Sequence, residues 1–323
     1  MPEQAVLGVA MGVYTPADEV MSISVSQLEL SKAMETLTPP PAEEMPELVI
    51  RARRGWIAVD WRELWTHREL LYFLVWRDVK VRYKQAVLGI AWAVLAPVLS
   101  VFVFTFIFGA KGLGANKNIP ADLPTSLFIF AGLIPWLFIS QSISNGGLSL
   151  VNQQNLLSKI YMPRLFIPAS TISSGLVDML ISFGVFFIMM AFYGYTPSWR
   201  SMPMLLPLVL LMVLQSMGLA FALSAMTVTY RDLRFLIPFI TQIGMWVSAV
   251  VIPYNGISPL MKHPWILLFN PFFGIVDSFR AAMFNGWAFR PWDLLASTIW
   301  TAGILAFGLA YFRKTERRFA DIA

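Results

Sequence analysis

The sequence predicts an all-α integral membrane protein with six transmembrane helices in each chain. Of its 323 residues, 57% are hydrophobic and 13% are charged, whereas a soluble domain carries about 25% charged residues. Six segments are long and apolar enough to cross the ~30 Å hydrocarbon core of a bilayer. These predicted spans cover residues 86–109, 123–147, 165–194, 203–229, 235–252 and 294–312.

The first 55 residues are predicted to form a flexible, acidic, cytoplasmic extension. Residues 1–50 hold eight acidic side chains and a single basic one, Lys32. A signal peptide has a basic start followed by a long apolar core, and this segment has neither. We therefore expect a solvated tail ahead of the membrane domain.

Residues 56–85 are predicted to form an amphipathic interface helix. Asp60 is suited to the N-cap position, and Glu63 completes a pattern like a capping box. Apolar and aromatic side chains then recur at helical spacing, namely Trp61, Leu64, Trp65, Tyr72, Val75, Val79 and Tyr83. We expect this helix to lie in the cytoplasmic interface with its rings at headgroup level.

The basic residues predict the orientation of the remaining domain, residues 86–323. If both termini are cytoplasmic, 18 of the 24 Lys and Arg residues lie on the cytoplasmic side. That asymmetry fits the positive-inside rule. The net charge of +5 therefore indicates membrane orientation rather than nucleic-acid binding.

The predicted outer segment 253–293 is too apolar for an ordinary loop. Its central run, PWILLFNPFFGIV at 264–276, is too short to span and is interrupted by prolines. This pattern predicts re-entrant or interfacial half-helices beside a pathway. The residues that we assign to this extracytoplasmic mouth are Trp265, Asn270, Phe272, Phe273 and Arg280.

Motifs for catalysis, nucleotide binding and metal binding are missing from the sequence. It has no GxxxxGK[ST] phosphate loop and no GxSxG, it lacks cysteine, and its two histidines are far apart. Within the spans the clearest ionisable residue is Asp178, for which a buried interhelical hydrogen bond is favoured over an ion relay. A membrane path without an energy source indicates a separate energising subunit.

Residues 77–109 resemble the opening of the permease subunits of bacterial ABC exporters for cell-surface polysaccharides, which carry O-antigen, capsule or teichoic acid. Three further stretches resemble the same family, NQQNLLSKIYMPRLFIP at 152–168, YRDLR at 230–234 and NPFFGIVDSFR at 270–280. The matching positions in the first stretch are Arg77, Lys80, Arg82, Tyr83, Gln85, Leu88, Gly89, Trp92 and Pro97.

The resemblance implies a homodimeric channel that moves a lipid-linked polysaccharide across the inner membrane. It also implies two copies of a separate ATPase subunit, which bind ATP and Mg, so that this chain needs no cofactor and catalyses no reaction. The interface helix and the loop at 152–164 would contact that ATPase. The residues assigned to this coupling are Arg77, Arg82, Asn152, Lys159 and Arg164.

Aromatic side chains in the spans are candidates for the channel lining, because ring faces can stack on sugars. On the first span Trp92, Phe102 and Phe106 share one side, and Phe104 and Phe108 share the opposite side. We assign the Trp92 side to the channel. Phe239 and Trp246 complete the predicted lining.

Three other functions fit parts of the pattern. An ABC exporter permease for a smaller lipid or drug would share the architecture. A membrane-bound transferase would need acidic or histidine clusters that the sequence lacks, and a secondary carrier would need more intramembrane charge. Co-purification with an ATPase subunit discriminates among these classes.

Overall fold

The structure is a computed structural model that describes residues 61–84, 90–109, 119–120, 122–157, 162–254 and 263–316. All of these residues belong to one unit, Arg54–Ala323. The predicted extension, 1–55, lies outside the described residues, so its boundary with the membrane domain stays a prediction.

The described residues form helices that are joined by turns and loops. Ten α-helices follow one another as α1 Trp61–Thr66, α2 Arg68–Lys84, α3 Ile90–Phe108, α4 Thr125–Asn152, α5 Gln154–Leu157, α6 Phe166–Phe192, α7 Leu205–Thr229, α8 Leu233–Val247, α9 Phe273–Met283 and α10 Pro291–Glu316. Short 3-10 helices at Met202–Met204 and Pro264–Phe269 precede α7 and α9.

Five helical segments are long and apolar enough to cross a membrane, and they correspond to five of the six predicted spans. They are Ala91–Phe108, Thr125–Asn152, Phe166–Phe192, Met202–Thr229 and Pro291–Glu316. The all-α membrane fold is thereby confirmed. The sixth predicted span, 235–252, overlaps the 15-residue helix α8, which is about 22 Å long. The count of six spans therefore stays a prediction.

Helix α8 stops early because the backbone turns at Ala249, whose φ of 52° is left-handed. Such a φ is uncommon for a residue with a Cβ. The sequence predicts a longer helix because apolar residues continue through Val250 and Val251, but these two side chains are buried beyond the turn. Tertiary packing at this point overrides the apolar run.

Helix α4 is the centre of the bundle. In its most apolar stretch of 18 residues, 83% of the residues are buried, whereas the corresponding share is 17% in α3 and in α10. Glycines permit this packing: a Cβ on Gly146 would lie 2.7 Å from Cβ of Ala220, and one on Gly147 would lie 3.1 Å from Ile237. Helix α4 therefore serves as the support on which α3, α6, α7 and α8 are placed.

Helices α7 and α10 approach each other closely at two glycines. A Cβ on Gly308 would lie 2.1 Å from the carbonyl oxygen of Gly218, and a Cβ on Gly218 would lie 2.7 Å from the backbone of Leu305. Small residues that let backbones meet are a common way to pack helices in membranes.

The predicted interface helix is present as α1 and α2, which are separated by a turn at His67. Trp65 and Tyr72 of its predicted stripe are exposed. Leu64 packs instead against a cluster around Leu74, the buried residue of α2. The Trp65 and Tyr72 rings thus face away from the bundle, and their contact with lipid headgroups stays a prediction.

Candidate functional site at the basic end of the bundle

One end of the bundle gathers α2, the C-terminal ends of α4 and α10, and the N-terminal end of α6. We call it the basic end, since Arg77, Arg82, Arg164, Arg313 and Lys314 lie there. It holds the described residues of the predicted coupling set.

A polar network ties the middle of α2 to α4 and α6. The Arg77 guanidinium donates to Asp78 Oδ1 at 2.7 Å and to Gln153 Oε1 at 2.8 Å. Gln153 is the residue that follows α4. Ser170 in the first turns of α6 donates from its hydroxyl to Asp78 Oδ2 at 3.1 Å. A movement of α2 would therefore act on both helix ends.

A second polar contact lies deeper in the bundle, at Asp178 of α6. Its carboxylate forms an ion pair with Arg82 and accepts a hydrogen bond from the Tyr83 hydroxyl. Arg82 also contacts Ser174 Oγ at 3.4 Å. Asp178 thus makes the interhelical contact that its sequence setting favours. Burial, and then the hydrogen bond to Asp178, raise the pKa of Tyr83, so the phenol stays protonated and donates.

These contacts give the relative direction of α2 and α6. Asp78 meets Ser170, and one turn later Arg82 meets Ser174 and Asp178. The two helices therefore run in the same direction along this stretch. The end of α2 thus lies along α6 over this turn.

The predicted coupling residues fall into separate contacts. Asn152 is exposed at the end of α4, beside the Gln153 that Arg77 binds. Arg164 instead donates to the carbonyl oxygen of Glu316, at the end of α10, at 2.8 Å. Lys159 lies outside the described residues. The structure therefore brings Arg77 to Gln153, the residue after Asn152, and places Arg82 and Arg164 elsewhere at the same end.

A cavity of about 430 Å³ lies among α3, α4 and α6, beside the last turn of α2. Apolar walls such as Ile134 and Phe138 are combined with polar side chains from the last turn of α2 and from inner turns of α3, α4 and α6. The polar lining residues are Arg82, Tyr83, Ser100, Gln141, Asn145, Asp178 and Ser182. Gln141 and Asn145 are exposed, four residues apart on one face of α4.

Helix α3 presents its two aromatic faces to different surroundings. Phe108 is buried, and Phe104 packs against the core. Phe102 and Phe106 are 67% and 80% exposed, and Trp92 is 56% exposed. The face that we assign to the channel is therefore largely exposed within the described chain, and the opposite face holds α3 on the bundle.

The other two predicted lining residues do not join that face. The Trp246 ring lies 6.3 Å from Phe104 and 5.8 Å from Phe108, on the attached side of α3. Phe239 is exposed on α8 and lines an open groove near Tyr230. The structure places three of the predicted lining residues, Trp92, Phe102 and Phe106, on one exposed stripe of α3. It separates Phe239 and Trp246 from that stripe.

At the opposite end, two of the five predicted mouth residues are buried. Arg280 of α9 is 1% exposed. Its guanidinium donates to the carbonyl oxygens of Ala249 and Val250 and lies 3.9 Å from the centre of the Phe128 ring. Phe273 is equally buried. The Arg280 side chain faces the interior because two carbonyl groups of the turn after α8 and the face of the Phe128 ring receive its positive charge.

The other predicted mouth residues remain accessible. Trp265 is 56% exposed. Asn270 and Phe272 are half-buried, and the Asn270 amide donates to the Val247 carbonyl at 3.0 Å. The two short helices that the prolines predict are present as the 3-10 helix Pro264–Phe269 and α9. The assignment of these residues to a pathway mouth stays a prediction.

Sequence reasoning missed most partners of these polar groups. Gln153 falls inside the stretch 152–168 that carries the family resemblance, and Ser170 lies two residues beyond it, but no motif marks their pairing with α2. Arg82 and Asp178 are 96 positions apart. The one available signal was the presence of a carboxylate in an apolar helix, which requires a partner at that depth.

Comparison with known proteins gives the identity of the family. The ABC-2 type transporter membrane family matches residues 69–284. The O-antigen export system permease protein RfbA of Myxococcus xanthus is 28% identical over 80% of this chain and 97% of its own length. Its counterpart from Klebsiella pneumoniae is 28% identical over 79% and 95%, respectively. The polysialic acid transport protein KpsM of Escherichia coli is 27% identical over 74% and 91%. With the family match covering most of its helices, this chain belongs to the ABC-2 type transporter membrane family.

Proposed function

We propose that this chain is the permease subunit of an ATP-driven exporter that moves a polysaccharide across the bacterial inner membrane. The observation that carries the proposal is the similarity to permeases named for O-antigen export and polysialic acid transport, which extends over more than nine-tenths of those proteins. An exporter of a smaller lipid or drug is the alternative, and none of these relatives is named for such a substrate.

The energy comes from a separate ATP-binding subunit. A phosphate-binding loop of the GxxxxGK[ST] type is missing from the sequence, and such a loop supplies the backbone N–H groups that hold ATP phosphates. We infer two copies of this partner, each binding ATP and Mg, beneath two copies of the permease.

The partner acts on the basic end, which is cytoplasmic in the predicted topology. Helix α2 and the segment after α4 meet there through the Arg77–Gln153 hydrogen bond. ATP binding can shift the permease between states only through contacts that differ between those states. An ATPase pressing on α2 would displace the ends of α4 and α6, because Arg77 connects α2 to Gln153 after α4, and Asp78 and Asp178 take part in contacts that connect α2 to α6.

The second permease copy is proposed to pack beside α3 and α8. Helix α3 is attached along a narrow stripe that includes Val101 and Phe108, and its remaining faces are exposed. Helix α8 adds exposed Phe235, Phe239 and Ile243. Two such surfaces would enclose a pathway between the copies, with Phe102 and Phe106 available to the glycan.

The substrate is proposed to be a lipid-linked glycan that enters from the cytoplasmic side. The test is deletion of this chain in its host, followed by staining of polysaccharide in spheroplasts and on intact cells. We expect the glycan to accumulate inside and to disappear from the surface, with recovery on re-expression. A surface polysaccharide that is unchanged in the deletion strain would contradict the proposal.

The assembly is tested separately by co-purification. An affinity-tagged permease should retain an ATP-binding subunit, and the complex should hydrolyse ATP while the permease alone does not. Hydrolysis by the purified permease without its partner would contradict the division of labour. The mass of the complex in detergent should correspond to two permeases and two ATPases.

A further inference from the structure

We infer that the cavity among α3, α4 and α6 is a binding subsite for one neutral sugar unit of the exported glycan. The inference rests on the proposed function, because it concerns the substrate of that export. It assigns a role to Gln141 and Asn145, which belong neither to the predicted channel stripe nor to the predicted coupling set.

The first step of the argument is the position of the two amides. Asn145 and Gln141 lie seven and eleven residues before the end of α4, so they stand about 10 and 16 Å along the helix from its end. Both are exposed, and within the described residues neither side chain has a hydrogen-bonding partner. Amides at such a depth are tolerated where they line a polar cavity.

The second step is the charge of the cavity. Its cation, Arg82, is paired with Asp178, and the Tyr83 hydroxyl donates to the same carboxylate. The cluster therefore carries little net charge toward the cavity, which disfavours a phosphate or another anion as the ligand. A neutral ligand that donates and accepts hydrogen bonds fits the amides of Gln141 and Asn145 and the hydroxyl of Ser100 better than an anion does.

The third step is shape. Small residues, Ala93, Ala96 and Gly175, stand where the three helices face each other and leave the space open. Its volume of about 430 Å³ falls within the ~300–1,000 Å³ of small-molecule sites. Trp92 lies at the edge with an exposed ring. A sugar ring presents an apolar face to such a ring and hydroxyl groups to the amides.

The absence of cysteine from the chain makes a direct test possible. The variant Asn145→Cys carries one thiol in the cavity, and Ser144→Cys carries one at the same depth outside the lining. Each variant, assembled with its ATP-binding subunit, is placed in inside-out membrane vesicles. A charged, membrane-impermeant thiol reagent is then added, and the labelling rate is measured.

The probes are the methyl pyranosides of glucose, galactose, mannose and rhamnose, with sorbitol as a control for non-specific effects. We expect at least one pyranoside to slow labelling of Asn145→Cys while sorbitol does not. A pyranoside at about twice its Kd slows the reaction about threefold. Labelling of Ser144→Cys should not change with any sugar.

Three results would overturn the inference. Labelling of Asn145→Cys that no pyranoside slows would mean that water alone fills the cavity. Slowing by inorganic pyrophosphate but not by the sugars would assign the site to an anion. A cysteine that does not react in the vesicles would mean that lipid or a second chain covers the cavity. In each case, surface polysaccharide in the host reports independently on the proposed function.

Discussion

Asp178 receives a cation and a phenol from adjacent residues of α2, on a helix whose exposed side chains are mostly apolar. Removing one partner of a buried ion pair costs about 3–5 kcal/mol, because the remaining charge has no counter-charge. Here the side chains of Arg82 and Asp178 are 31% and 20% exposed, so solvent screening makes the cost smaller. The ion pair therefore also has a positioning role, since it holds α2 against α6.

We expect Asp178→Asn to loosen α2 from α6 and to lower the export obtained per ATP hydrolysed. The exchange Arg82→Asp with Asp178→Arg should recover much of this ratio, because it restores the opposite charges. Transport and hydrolysis are measured on the same reconstituted complex. Lys80→Ala is the matched control, since Lys80 is exposed on α2 close to Arg82. Normal coupling in Asp178→Asn would show that the ion pair serves folding alone.

At the scale of elements, one face of α3 attaches the helix to the bundle and the opposite face is exposed. The Phe104 and Phe108 rings stack on each other, and the Trp246 ring meets Phe104 edge-on and Phe108 at a tilt, with ring centres 5.8–6.4 Å apart. Such aromatic pairs contribute about 0.5–1.5 kcal/mol each beyond the area that they bury. Phe102 and Phe106 make no ring contact among the described residues, so their replacement leaves the packing of α3 intact.

We expect paired replacement by leucine to separate the two faces of α3. Phe104→Leu with Phe108→Leu should lower the thermal midpoint of the purified complex, because ring contacts with Trp246 are lost. Phe102→Leu with Phe106→Leu should preserve the midpoint and the ATPase activity and reduce export. A loss of export without a loss of stability in the Phe104 and Phe108 pair would reverse the assignment of the faces.

The contact of α7 with α10 offers a test within one helix. Gly308→Ala should destabilise the protein by about 1–3 kcal/mol, the usual cost of overpacking, because its Cβ would meet the Gly218 carbonyl. Gly303→Ala has open space at its Cβ and should stabilise α10 by up to about 1 kcal/mol through helix propensity. Thermal unfolding of both variants measures the difference. Equal midpoints would show that α7 and α10 are not in contact at Gly308.

At the scale of the whole molecule, orientation rests on the distribution of Lys and Arg. We expect reporter fusions after Ala323 and within 112–120 to report opposite sides of the membrane, with the C-terminus cytoplasmic. An alkaline phosphatase fusion is active outside and a green fluorescent fusion is active inside. Both sites reporting the same side would contradict the predicted topology.

Sequence patterns predicted the long helices well, because runs of about 20 apolar residues have few other stable forms in a membrane. They did not predict where α8 ends, because the turn at Ala249 depends on Arg280, which is 31 positions away. Arg280 itself looked accessible, since charge alone suggests exposure. Its burial depends on two carbonyl groups and a ring, which hydropathy does not report.

Sequence patterns predicted the candidate site only in part, again because contacts between distant residues are not visible in hydropathy. The resemblance pointed to Arg77, Arg82 and Asn152, and these residues do lie at one end of the bundle. The partners of Arg77 and Arg82, which are Gln153 and Asp178, are set by the packing of α2 against α4 and α6. The cavity could not be predicted, because it depends on the gap that three separate helices leave between Ala93, Ala96 and Gly175.

The short α8 has a consequence for the lipid around it. A helix of 15 residues covers about 22 Å, some 8 Å less than the ~30 Å hydrocarbon core. If α8 spans the membrane as predicted, lipid chains beside its exposed apolar flank must compress, at a cost of a fraction of a kcal/mol per Å. If α8 lines the seam between two permeases, the membrane is thinnest beside the pathway. A hydrated sugar chain then has a shorter dry distance to cross.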